Sequence, residues 1–200
     1  MSVTAQRKSF DLPSMAGQKQ ISVKNRMIGK VDDSLQGISL SKSFTEGYAW
    51  LNEVNFSNGT IELDMRGTDV LQGSFLGVAF HGRGNDTAEV VYFRPFNFRS
   101  FDSTRRAHSV QYAYHPAVGW EKLRNEKPGV YENSIVPAPV PRGWFHAKIV
   151  VQYPEVKVFV NRSETPSLTI KEISEYKDGK VGLWVGGSSE GDFANLTITK

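Results

Sequence analysis

The sequence predicts an all-β chain folded as a two-sheet antiparallel β-sandwich, and three observations carry that expectation. Apolar and polar residues alternate with a period of two through most of the chain after residue 20. Runs of six to nine strand-forming residues recur, each bounded by Gly, Asp, Asn or Pro. No segment keeps a 3.6-residue period for three turns, which excludes βαβ units and a parallel sheet.

Residues 1–20 are polar and mixed, and read as an extended arm, a signal remnant or a first edge strand; residues 21–200 read as one domain. Asn58-Gly59 is a turn signal ahead of Thr60–Arg66, where Ile61, Leu63 and Met65 face a core and Glu62, Asp64 and Arg66 face out. In Ser74–His81, Leu76, Val78 and Phe80 share one side. The other side carries Phe75, Gly77, Ala79 and His81, and small residues there leave room for something to approach. Val90–Arg94 and His108–Tyr114 continue the pattern, as do the hairpin pair Trp144–Gln152 and Glu155–Asn161 around Tyr153-Pro154. Ser167–Ile173, Val181–Gly186 and Phe193–Thr199 complete the strand set, and the one expected helix is the short Trp120–Asn125. Residues 113–143 hold five of the nine prolines and no good strand, so they read as a stiffened functional loop packed over a sheet edge.

Two hundred residues with 39% hydrophobic content can bury a sizeable core in a single domain. The net charge is +3 and the 24 Lys and Arg are scattered, with Arg105-Arg106 the densest basic spot. That footprint is too small for a nucleic-acid partner. The chain has no Cys, which removes disulfides, thiolate metal sites and cysteine nucleophiles. No apolar run reaches the roughly 20 residues needed to span a bilayer. Val3-Thr4-Ala5 resembles the small-residue end of a secretory signal.

The side chains between Ser74 and Tyr112 point to a sugar. Planar rings alternate there with groups able to form paired hydrogen bonds, a pattern suited to a hydroxyl-rich ligand. Tyr92 and Arg94 share a strand face opposite Val91 and Phe93, and Gln111 lies opposite Val110 and Tyr112. Asn97 and Arg99 follow Pro95, His108 opens the next strand, and Trp120, Lys122 and Arg124 come from the proline-rich segment. With His81, these ten residues form the candidate binding set. Arg groups also read the carboxylates or sulfates of acidic sugars. The bland alternative is a buried Arg–Glu network pinning the loop, with Arg94 or Arg124 on Glu121 or Glu132. For catalysis the candidates are His81 and the pair Glu62/Asp64, two residues apart on one strand and so about 7 Å apart. A divalent metal at His81 with Asp86 or Glu89 is the cofactor expectation, although no pair has a ligand-type spacing.

The blocks from Phe56-Ser57-Asn58-Gly59 onward, GSFLGVAFHG, VYFRPFNF, HSVQY, WEKLR, WFHAKIVV, KVFVN, GKVGLWVGGSSEGDF and ANLTI resemble the 3-keto-disaccharide hydrolase-like domains of the concanavalin A-like lectin/glucanase superfamily. The resemblance spans residues 40–200. It implies a jelly roll with a concave ligand-facing sheet, export to the periplasm or medium with the signal removed, and an oligo- or polysaccharide partner. Laminarinase-type relatives carry Glu-x-Asp-x-x-Glu; here Glu62 and Asp64 are followed by Met65, Arg66 and Gly67, so the second glutamate is missing. Three functions follow as expectations: a glycan-recognition domain, a glycoside or 3-keto-glycoside hydrolase or lyase, and a non-catalytic docking module.

Overall fold

The structure, a computed structural model, describes residues 6–31 and 33–200. The Val3–Ala5 segment lies outside the described residues. In chain order the elements are β1 (Arg7–Phe10), α1 (Leu12–Gly17), β2 (Ile21–Lys24), β3 (Ile28–Lys30), β4 (Gly37–Leu40), β5 (Gly47–Phe56) and β6 (Gly59–Arg66). Then come β7 (Leu76–Arg83), β8 (Thr87–Phe93), a 3-10 turn (Pro95–Asn97), α2 (Ser103–Arg106), β9 (Val110–His115), α3 (Trp120–Glu126) and β10 (Glu132–Asn133). The chain closes with β11 (Phe145–Gln152), β12 (Glu155–Val160), β13 (Leu168–Lys171), β14 (Gly179–Val185) and β15 (Gly191–Thr199).

These strands form two antiparallel sheets facing each other. One runs β13-β12-β11-β6-β15-β4-β3, with β1 also paired to β15; the other runs β10-β9-β8-β7-β14-β5-β2. The period of two decides which face is dry. In β6, Ile61, Leu63 and Met65 are sealed while Glu62, Asp64 and Arg66 keep contact with solvent. Opposite them, Val78, Phe80, Val91 and Phe93 fill the space between the sheets, and Phe93 meets Phe145 edge-on at 5.1 Å between centroids. Burying a side chain of this size removes about 1.5–3 kcal/mol of water contact each, so one shared core holds both sheets.

The N-terminal stretch is more than an arm. Asp11 accepts a hydrogen bond from Ser14 N and caps α1, Leu12 is buried, and β1 pairs with residues 196–199 of β15. The proline-rich stretch is also more structured than a loop. Within it β9 runs on to His115, α3 forms, and β10 pairs with Val110 and Gln111 at the edge of the second sheet.

On the second sheet's outer face, one row crosses five strands: Gln111, Tyr92, Gly77, Trp184 and Tyr48. At one end of this face the 84–86 turn folds over the stacked rings of Tyr48 and Trp50. Trp50 Nε1 donates to Asn85 O at 3.1 Å and Tyr48 OH to Asp86 O at 3.2 Å. The other end stays open. Glycine is needed at position 77, because a Cβ there would lie 2.0 Å from Val91 O and 2.6 Å from Tyr92 Cα, both backbone atoms. Gly77→Val is therefore expected to cost about 1–3 kcal/mol and to lower the melting temperature by roughly 2–4 °C per kcal/mol. A melting curve superimposable on wild type would show that β7 and β8 can separate at no cost.

Candidate functional site

The open end of the second sheet carries a groove made of two adjoining hollows of about 510 and 350 Å³ that share Phe75 and Trp120. Strand alternation supplies the floor, since Tyr92 and Trp184 flank Gly77 and their rings come within 4.9 Å. Phe75 packs edge-on to Tyr92 and to Phe96. α3 supplies one wall. Its buried Leu123 anchors it, and Trp120 and Arg124 are carried toward the groove.

Arg94 lies at the base of the larger hollow and is only 5% exposed. All of its terminal N–H groups are engaged: Nη2 donates to Tyr92 OH at 2.9 Å, Nη1 to His108 O at 2.9 Å, and both to Gln111 Oε1. Burial pushes its pKa down, with Tyr92 and Glu132 opposing; burial likewise pushes the Tyr92 hydroxyl up to about 12. Gln111 is fully sealed, its amide donating to Tyr112 O and Tyr131 O. Arg124 grips Glu132 with two bonds of 2.8 and 2.6 Å while its guanidinium lies 4.7 Å from the Trp120 ring centre. Glu132 Oε2 is also 4.0 Å from Arg94. His108 Nδ1 sits 2.8 Å from that same oxygen but off a hydrogen-bonding line. Its pKa is lowered by burial and by Arg124 and Arg94, against the pull of Glu132, so the ring is neutral at pH 7.

The smaller hollow has a different chemistry. His115 Nδ1 is 2.6 Å from Glu46 Oε2, which also accepts from Trp184 Nε1 at 3.1 Å. Burial raises the Glu46 pKa, but the bonds from His115, Trp184 and Tyr48 and the charge of His115 outweigh it, so the carboxylate is held below its ordinary range. His115 Nε2 is buried without a protein partner. Arg26, also buried, donates to the carbonyls of Thr45, Val185 and Gly186 and so fixes the Gly186-Gly187 rim.

Of the sequence-predicted set, Tyr92, Arg94, Asn97, His108, Trp120 and Arg124 line the groove. Gln111 supports it from beneath. Arg99 points elsewhere and holds Ala138 O in the proline-rich segment, and Lys122 is exposed on α3 outside the groove. The pinning role expected of Arg124 with Glu132 is also present, so the same side chain wedges α3 and borders the cleft. His81 is a correction. It is 0% exposed, with Nδ1 2.8 Å from Glu172 Oε2 and Nε2 donating to Ser57 O at 2.8 Å. A bulge between Phe80 and Arg83, with φ of 49° at His81, breaks the alternation that would have placed it beside Ala79.

Glu62 and Asp64 lie apart from the groove. They sit on the outer face of the first sheet, across the core from the groove, where His146 Nδ1 lies 2.9 Å from Asp64 and Nε2 3.5 Å from Glu62. The metal candidates do not converge either. Asp86 pairs with Lys24, Glu89 is buried against Tyr112 and Ser174, and among the described residues no three His, Asp or Glu gather in a metal-holding group. Sequence reasoning missed Glu46, Phe75, Arg105, His115 and Trp184 as groove residues. Trp184 was readable from alternation against Leu183 and Val185, and Phe75 from its place beside Gly77 and Ala79; Glu46, Arg105 and His115 come from loops or strand ends with no such signal.

No family model and no curated protein matches this chain. Its fold is similar to that of several solved structures. The carbohydrate-binding module CBM66 from Bacillus subtilis aligns with a TM-score of 0.63 at 12% identity, over 90% of this chain and 95% of that one. A putative glycosyl hydrolase from Parabacteroides distasonis gives 0.60 at 12%, over 96% and 98%. The VIP36 exoplasmic/lumenal domain in its Ca2+/Man3GlcNAc-bound form gives 0.60 at 10%, over 96% and 87%. The chain thus has the lectin-like jelly-roll sandwich.

The buried His81 titrates with a predictable sign. Burial opposes its charge, yet the Glu172 hydrogen bond, the Ser57 carbonyl and the fields of Glu172 and Glu89 raise its pKa above 6.5. Glu89 is also raised, by burial first and by Glu172. Each group therefore contributes stability that is complete below its unfolded pKa and is lost as pH rises through the folded one. His81→Gln leaves Glu172 without its cation and should cost about 3–5 kcal/mol. The melting-temperature gap to wild type should be widest at pH 6 and narrow toward pH 9. A gap constant across that range would show that His81 carries no charge.

Proposed function

We propose that this groove binds a saccharide and that the protein is an exported carbohydrate-binding or glycan-processing domain. One observation carries the reading: Trp120, 44% exposed, presents a ring backed by the Arg124 guanidinium at the mouth of a cleft whose base is the buried Arg94, its terminal N–H groups all bonded. Sugar CH faces stack on such a ring, and the surrounding Asn97, Arg105 and His108 offer directional polar groups for hydroxyls. A fold shared with a carbohydrate-binding module and a mannose-oligosaccharide-bound lumenal domain supports the reading by analogy. The resemblance of residues 40–200 to 3-keto-disaccharide hydrolase-like domains supports it further, and also supports export. Among the described residues no helix is long and apolar enough to cross a membrane.

A second reading, hydrolysis or elimination on a glycoside or 3-keto-glycoside, is favoured by the Glu46–His115 pair in the smaller hollow. An imidazole oriented through Nδ1 by a carboxylate is suited to moving a proton at Nε2. His81, Glu62 and Asp64 lie outside the groove, so in this reading the proton transfer falls to His115 and Glu46.

Two experiments test these readings. Trp120→Ala should weaken binding of whichever glycan scores on an array by about tenfold or more, ~1.4 kcal/mol, while the melting temperature stays near wild type. Undiminished affinity would place the site elsewhere. For the second reading, incubation with oligosaccharide and 3-keto-sugar panels should release product that His115→Gln abolishes. Product formed equally by the variant would remove the pair from the mechanism.

A further inference from the structure

The two halves of the groove differ in charge: the larger holds an excess of cations, while the smaller holds a carboxylate that is already paired. The larger half is lined by Arg94, Arg105, Arg124 and His108 and by no carboxylate. Three guanidiniums there face one counter-charge, Glu132, which is 4% exposed behind them and already committed to Arg124 through both oxygens. Among the described residues Arg105 has no carboxylate within ion-pair reach; its bonds are 3.4 Å to Asn97 Oδ1 and 3.3 Å to Phe96 O, both neutral. Arg94 is desolvated, and the nearest acidic oxygen is 4.0 Å away. Two positive charges thus remain uncompensated in a concave, ring-walled space.

Such a space concentrates the field, because low-dielectric walls screen less than water. A neutral sugar leaves that potential unused. An anionic substituent would satisfy it: Arg105, whose own bonds are long and go to neutral acceptors, can turn its guanidinium to a carboxylate, while Arg94, with its terminal N–H groups engaged, contributes its field. The smaller half has no such excess. Glu46 is held ionised there, but it is paired with His115 and lies in the field of the buried Arg26, so an anion gains little by entering it. Trp120 and Phe75 stand at the junction of the two halves, where they can border adjacent sugar units.

We propose that the groove recognises an acidic saccharide in a fixed direction, with an anionic group in the half lined by Arg94, Arg105 and Arg124 and a neutral unit in the half lined by Glu46, His115 and Trp184. This rests on the saccharide-binding reading above and specifies the class of sugar. The carboxylate of a uronate and the sulfate ester of a sulfated sugar share the chemistry required, so both are compared.

The test is calorimetric titration with matched pairs on the same backbone. One arm uses oligosaccharides alternating a uronate with a neutral sugar against their carboxyl-reduced counterparts. The other uses sulfated oligosaccharides against their desulfated forms. The expected result is binding at least about tenfold tighter for the acidic member of one arm, falling as salt rises, and the arm that shows it identifies the anion. Arg105→Gln should shrink the acidic-to-neutral ratio to below about threefold. Comparable affinity within both pairs, or tighter binding of the neutral members, overturns the inference and leaves the saccharide reading intact. Binding of no glycan on these arms or on the array overturns both. A preference that survives Arg105→Gln at full size overturns the assignment of the anion to this half.

Discussion

The buried guanidinium of Arg94 is the constraint around which the groove is organised. A cation removed from water must have its donors satisfied, or the cost runs to several kcal/mol. Here the acceptors come from separate places: Tyr92 OH on β8, Gln111 Oε1 on β9 and the carbonyl of His108 just before β9. The long excursion between β8 and β9 is thereby brought back onto the sheet. Asn97 repeats the tie, donating to the same His108 carbonyl. Gln111 then hands the network to Tyr131, beside β10. The side chain that pins the excursion is thus also the one that gives the groove its base.

Polar groups occupy three separate environments: the groove, the space between the sheets and the outer face of the first sheet. Between the sheets, Glu89 accepts from Ser174 N and from Tyr112, whose hydroxyl in turn accepts from Ile173 N, while the neighbouring Glu172 holds His81. That interior cluster ties the 172–174 segment to the second sheet. On the outer face of the first sheet, His146 bridges Asp64 and Glu62, and Asn195 donates to Asp64 at 2.6 Å. Both clusters pair titratable groups at short range, as a catalytic site would. The interior cluster is sealed from solvent, and the outer-face cluster keeps solvent contact but is not bordered by the rings that wall the groove.

The segment between β9 and β11 shows why its prolines matter. It leaves the sheet at His115, turns to form α3, and returns as β10 to close the sheet edge. Leu123 and the Arg124–Glu132 pair hold the helix against that edge. Trp120 then stands over the sheet as a wall that the flat face could not supply. A groove on a β-sandwich needs such a wall, because strands alone offer only a shallow surface.

Strand periodicity by itself determined the architecture of this protein. Every long strand with one wet face advertises it in sequence, and Ile61/Leu63/Met65 against Glu62/Asp64/Arg66 is enough to orient β6. The same rule placed Tyr92, Arg94 and Gln111 on one face, because cross-strand neighbours share a side when their registers agree. Only the tertiary structure decided which polar residues share a space. A single bulge turned His81 from the open face into the core, a displacement that no alternation pattern reveals. Glu46, Arg105, His115 and Trp184 are scattered over some 140 positions, and they become neighbours solely because distant strands pair and two rims fold over one sheet end. Local chain geometry is written residue by residue; convergence depends on contacts between segments far apart, which a linear pattern does not encode.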